Sequence, residues 1–163
     1  MQNKRGITLI ELSISLVISV GILSVLVLVY VTGTRIFNAE MGRSSAYIEA
    51  NKAMGSIRQD LRSCLALTSA SATNISFWAE DLNANSSMEA AEIYSYSWDG
   101  ISGNPLTRTI SGSSTMMARN IKEFVLSYDS GSLSSITEVG VKVVAGTAEN
   151  VATVESSVKL RNI

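Results

Sequence analysis

The chain has 163 residues, a formal net charge of -1 and no histidine. That length holds one modest domain with an appendage, the charge balance supplies no basic field to recruit nucleic acid or anionic lipid, and the missing histidine removes the commonest general base and metal ligand. The single cysteine, Cys64, has no partner for an internal disulfide.

A long apolar block opens the chain. In "RGITLIELSISLVISVGILSVLVLVYVTGTR" no charged residue stands between Leu12 and Thr34. As a helix this run is about 35 Å long at ~1.5 Å per residue, enough to cross a bilayer core of ~30 Å. Lys4 and Arg5 precede it and stay cytoplasmic under the positive-inside rule, so the remainder faces outward. A secretory signal peptide has a shorter core and ends in small residues, and no such site follows here, so an uncleaved spanning helix is the plain reading. That reading leaves Glu11 unexplained. Insertion scales put an acidic residue at a helix centre at about +2.5 to +3.5 kcal/mol, with a lower cost near the membrane edge.

The stretch "RGITLIELSISLVIS" resembles the leader and mature start of a type IV prepilin. The shared features are a short basic leader ending in Gly, an apolar residue, Thr-Leu-Ile-Glu, and a long uncharged helix. The resemblance implies a leader over residues 1–6, a transmembrane and filament-core helix over 7–34, and a periplasmic head domain over 35–163. It implies cleavage between Gly6 and Ile7 by a prepilin peptidase, followed by N-methylation of Ile7. It assigns Glu11, with Thr8 beside it, to filament assembly. A carboxylate buried in an anhydrous filament core is tolerable only beside a cation; the resemblance implies that this cation is the new amino group of a neighbouring subunit's Ile7, in a pair that would fix register more than it adds stability. The plainer alternative is an interfacial Glu11 with no partner. Two departures stand out: Ile7 replaces the usual Phe, and Leu28 stands where many major pilins carry Pro, so a sharp kink is not expected. Gly21 and Gly33 remain as weak points in the helix.

The helix continues outward. Tyr47, Ala50, Met54, Ile57, Leu61 and Cys64 recur in steps of three and four, one apolar stripe with Glu49, Lys52, Arg58, Gln59 and Arg62 on other faces. The stripe is expected to pack on a sheet, with Cys64 as a small core residue and not a reactive thiol. The run "LALTSASATN" ends the helix near Thr68. After it the period changes to two. "NISFWA", "EIYSYSW", "LTRTI", "IKEFVLSY", "ITEVGVKVV" and "VATVESSVKL" read as strands separated by turn-rich loops. The expectation is an α+β fold in which one long helix packs on an antiparallel sheet.

The acidic loop, the Leu-Thr-Arg strand, the strand ending in Tyr128 and the closing "VKLRNI" are similar to minor pilins of the PilW type and to the J-type minor pseudopilin of type II secretion. The absence of a C-terminal Cys pair favours these over major pilins. The resemblance implies a non-catalytic subunit of a type IV pilus, held in the bacterial inner membrane before assembly. Its partners would be other pilin subunits, the peptidase/methyltransferase, the inner-membrane assembly platform and membrane lipid. A secretion pseudopilin and a membrane-anchored periplasmic binding domain are the alternatives.

Other chemistry finds little footing. No Ser-His-Asp or Cys-His arrangement is available, and no phosphate-binding Gly loop or zinc spacing appears, so no enzyme, cofactor or nucleic-acid ligand is expected. One loop, "DLNANSSMEAAE", places Asp81, Asn83, Asn85, Ser87, Glu89 and Glu92 at the ligand positions of a calcium loop, with apolar Met88 at its eighth position. Ser86 replaces the Gly of the sharp turn and the flanks read as strands. A solvated acidic hairpin loop is the plainer reading, with no metal expected.

Overall fold

The computed structural model describes residues 8–147 and 149–160. One helix, α1 (Leu9–Arg62), is followed by eight strands: β1 (Ala66–Ala70), β2 (Asn74–Trp78), β3 (Ile93–Ser97), β4 (Leu106–Ile110), β5 (Ser113–Ala118), β6 (Ile121–Tyr128), β7 (Glu138–Gly146) and β8 (Val151–Lys159). The expected α+β class is the observed one. Contacts divide the chain into two units, Met1–Glu40 and Met41–Ile163.

In the first unit α1 presents apolar side chains on all sides, and every described residue up to Glu40 is exposed. It is the one described helix long and apolar enough to cross a membrane. Such an all-round apolar surface has no place in water and matches lipid or other apolar helices. Helical hydrogen bonding runs unbroken through Gly21 and Gly33, as the missing Pro predicts.

In the second unit the rest of α1 is amphipathic. Ala46, Ala50, Ala53, Met54, Ile57 and Leu61 are buried, and small alanines let the strands approach closely. Tyr47, expected on this stripe, is exposed; the stripe begins at Ala46 instead. The strands form two antiparallel sheets and not one, ordered β1-β2-β3-β4-β5 and β6-β7-β8. Alternation works as period two demands. Ile75 and Phe77 on β2, Tyr96 on β3, and Val139, Val141 and Val143 on β7 all turn into the core shared with Ile57 and Leu61. Each fully buried large aliphatic contributes roughly 1.5–3 kcal/mol. Cys64 is fully buried in that core, and burial pushes its thiol up to about 12, so it is inert at neutral pH. The two sheets are tied where the Leu126 N–H donates to the Ala72 carbonyl at 2.8 Å and the Ile121 N–H to the Asn104 carbonyl at 3.2 Å.

The helix stops at Arg62, before the expected Thr68. The Ser63 hydroxyl and N–H both turn back to the Asp60 carbonyl, closing the last turn. The Leu65 N–H is then taken by the Trp78 carbonyl at 2.7 Å, so "ALTSA" joins the sheet as β1. Tertiary pairing outweighs the helical propensity of Leu65, Ala66 and Leu67. β4 and β5 are joined by a two-residue turn at Ser111 and Gly112, both at positive φ, which suits the right-handed twist of a hairpin.

Candidate functional site

Gly6 and Ile7, the expected cleavage and methylation positions, lie outside the described residues. Thr8 and Glu11 lie within them, and they meet. Thr8 precedes the first helical residue. Its N–H and its hydroxyl each donate to Glu11 Oε2 at 3.0 Å, and the Glu11 N–H donates to the Thr8 hydroxyl at 3.3 Å. This is a reciprocal capping box, with the carboxylate three residues into the helix satisfying donors that the first turn leaves orphaned. The carboxylate also sits at the positive end of the helix dipole. Glu11 therefore has a local partner, which the sequence reading had left out. The Thr-x-x-Glu spacing carried that signal and was there to be read.

The loop between β2 and β3 gathers the calcium candidates around one turn. Asp81 accepts the Asn85 N–H at 3.2 Å and the Ser86 N–H at 2.8 Å. Asn83 and Asn85 both donate side-chain amides to Glu89 Oε1 at 2.9 Å. Ser86, at the glycine position of the pattern, takes a positive φ without being glycine. Glu92 does not share the solvated setting expected of the loop. It is 1% exposed, and its carboxylate accepts the Leu82 N–H at 2.8 Å, the Trp78 indole N–H at 3.0 Å and the Glu89 N–H at 3.2 Å. Three N–H donors on one buried carboxylate make it the fastener of the loop. Among the described residues, no three His, Cys, Asp or Glu side chains are grouped so as to hold a metal ion.

A third cluster had no sequence signal. Asp60, on the buried face of α1, accepts the Tyr96 hydroxyl at 2.6 Å and pairs with Arg108 Nη2 at 2.7 Å. The Arg108 guanidinium lies over the Tyr94 ring, 5.0 Å from its centre. Burial, and next the hydrogen bond to Asp60, push the Tyr96 phenol well above its ordinary range. Asp60 is buried and Tyr96 is fully buried. The cluster binds helix to sheet.

An open cleft lies between the β1–β2 turn and the end of β6, around Ser71, Ala72, Tyr128 and Asp129. Tyr128 donates to the Ser71 carbonyl across it at 2.8 Å. Thr137 holds the Asp129 carboxyl below the usual carboxylate range by side-chain and backbone hydrogen bonds. These contacts close the loop ends. Compared with protein-family models, curated proteins and solved structures, the chain matches none of them significantly.

Proposed function

We propose that this chain is a non-catalytic structural subunit of a type IV pilus, of the minor pilin kind that sits in a tip or priming complex. The observation that carries the proposal is the start of α1. A helix that is apolar on every side opens on a carboxylate held by Thr8, directly after the Gly6-Ile7 junction of a short basic leader. The capping box gives that carboxylate a use at the helix end, and a helix that later packs beside the amino terminus of another subunit would use the same charge a second time. The α+β unit after Glu40 supports the reading, because it is a head with a buried core of its own.

In this reading the chain waits in the inner membrane with its head in the periplasm. The peptidase removes residues 1–6, Ile7 is methylated, and the helix passes from lipid into the filament core. The test is mass spectrometry of sheared surface filaments from cells that carry the chain with an epitope tag after Ile163. The expected result is a tagged chain in the filament fraction whose first residue is N-methylated Ile7. A chain found only in the membrane fraction, still beginning at Met1, would reject the proposal.

A further inference from the structure

The turn at Asn85 brings together a nucleophile, a base and a polarised carbonyl. The Asn85 side chain folds back over the peptide that follows it, because its Oδ1 accepts the Ser87 N–H, two residues on, at 2.7 Å. The side-chain carbonyl therefore lies over the intervening nitrogen, that of Ser86. The Ser86 N–H in turn donates to Asp81 Oδ2 at 2.8 Å. Glu89 Oε1 accepts from Asn85 Nδ2 at 2.9 Å and fixes the amide end of the side chain. Asn85, Ser86 and Ser87 are all exposed, so water reaches the turn.

The acceptor on the Ser86 N–H decides what this turn can do. An amide proton held by a carbonyl stays where it is, whereas a carboxylate within hydrogen-bond reach can take it. The N–H lies in the plane of its peptide, so Asp81 leaves the faces of that nitrogen open to the carbon above. The Ser87 N–H stands at the distance that favours negative charge developing on Oδ1. Asn83, in the same loop, lacks this set. Its Oδ1 shares the Asn85 N–H with Asp81 Oδ1, each at 3.2 Å, and among the described residues no acceptor takes the N–H of Ala84.

We propose that Asn85 is a self-modifying residue, which converts through a cyclic imide to aspartate and isoaspartate with Asp81 as the base. Asp81 takes the Ser86 amide proton, and the Ser86 nitrogen bonds to Asn85 Cγ. The Cγ–Nδ2 bond breaks, and the proton returns through water to the leaving nitrogen, which departs as ammonia. A water molecule then opens the ring, giving aspartate where it attacks Cγ and isoaspartate where it attacks the backbone carbonyl of Asn85. Either product sets a third carboxylate beside Asp81 and Glu89 and removes the Nδ2–H donor that Glu89 held, so the loop loosens as the chain ages. The inference concerns this loop alone and is independent of the pilus reading.

The test follows purified full-length chain in uncharged detergent micelles over days at neutral pH, by peptide mass spectrometry and by enzymatic methylation of isoaspartate. Asn83 serves as the internal clock. Asn85 is expected to convert at least about tenfold faster than Asn83, and at least about fivefold faster in the folded chain than in the same chain unfolded in guanidinium. A ring-closed intermediate, short by the mass of ammonia, is expected at Asn85 alone. Asp81→Asn keeps an oxygen acceptor on the turn but no base, and is expected to slow Asn85 about tenfold at unchanged Tm while Asn83 keeps its rate. Conversion at Asn85 that is no faster in the folded chain than in the unfolded one overturns the inference, because the hydrogen bonds then protect the residue. So does an Asp81→Asn chain that converts as fast as the natural one. The folded-against-unfolded comparison needs no variant, so it decides the question even where Asp81→Asn disturbs the turn.

Discussion

Tyr96 on β3 and Asp60 on α1 are joined by a 2.6 Å hydrogen bond in the interior, and Arg108 on β4 reaches the same carboxylate oxygen at 2.7 Å. One oxygen of a helix side chain thus holds two neighbouring strands of the five-stranded sheet. The pair is only partly shielded, with the Arg108 side chain 24% exposed, which places it toward the weaker end of buried ion pairs. Asp60→Ala strands the guanidinium and the phenol together. It is expected to destabilise the folded unit by about 3 kcal/mol in denaturant titration. Asp60→Asn keeps an acceptor for Tyr96 and is expected to cost less than half as much. Equal losses from both variants would mean that the charge of Asp60 outweighs its hydrogen bond.

The same tyrosine gives the fold an alkaline limit. Burial holds the Tyr96 phenol far above its ordinary value, and burial pushes Tyr128 up to about 12. An unfolded tyrosine titrates near 10. Both groups bind their protons more tightly in the folded state, so their contribution is complete below about pH 10 and is lost as pH rises above it. The slope of stability against pH is therefore expected to turn negative from about pH 10. Tyr96→Phe should flatten that slope while lowering stability at pH 7, because Asp60 loses a donor. An unaltered slope in Tyr96→Phe would show that this phenol does not set the alkaline limit.

Much of this architecture was legible in the residues, and the parts that were not have physical reasons. The stripe through Ala50, Met54, Ile57 and Leu61 and the alternation of Val139, Val141 and Val143 follow from burial on one face, which leaves a period in the sequence. β5 left no period because it is an edge strand whose first four residues, Ser113 to Met116, are exposed. β1 is hidden by its good helix formers, and its strand pairing comes from Trp78, thirteen residues beyond Leu65. The division into two sheets depends on where β6 meets the turns at Ala72 and Asn104, which no local pattern encodes. Asp60 carries no local signal, since its partners stand 36 and 48 residues away. In the loop, the spacing of Asp81, Asn83 and Asn85 was visible, but the burial of Glu92 was not.

That buried carboxylate gives the loop its own test. Glu92→Ala leaves the Leu82 and Glu89 N–H groups without their side-chain acceptor and the Trp78 indole with the Glu80 carbonyl alone. The loop opens enough for water to reach part of them, and the loss is expected to be about 2–3 kcal/mol. Indole fluorescence should report the change, with Trp78 moving to a wetter setting. Since Glu92 and Asp81 already spend their oxygens on amide protons, adding calcium at millimolar concentration is expected to leave Tm unchanged. A rise in Tm that Asp81→Ala abolishes would instead make this loop a calcium site.

Glu11 carries two separable roles, and one pair of variants divides them. Its carboxylate closes the capping box with Thr8 at the start of α1. In the pilus reading it later meets the Ile7 amino group of another subunit. Glutamine keeps the first role, because its side-chain oxygen still accepts from the Thr8 N–H and hydroxyl. It loses the second, because a neutral amide cannot neutralise an ammonium. Valine loses both. Each variant is expected to enter the membrane at least as well as the natural chain, since a charge has been removed from an apolar segment. The head after Glu40 should melt at the same temperature in both, because Glu11 is no member of its core. Helix fraying at Thr8 should appear in Glu11→Val alone, at a cost of about 0.5–2 kcal/mol. Recruitment into sheared filaments should fail in both, with a penalty of roughly 3–5 kcal/mol for the neighbour's buried ammonium. If Glu11→Gln assembles normally and only Glu11→Val fails, the carboxylate serves the helix end and not the neighbour. If both assemble normally, Glu11 has no part in register, and the amino terminus of the adjacent subunit must find its counter-charge elsewhere.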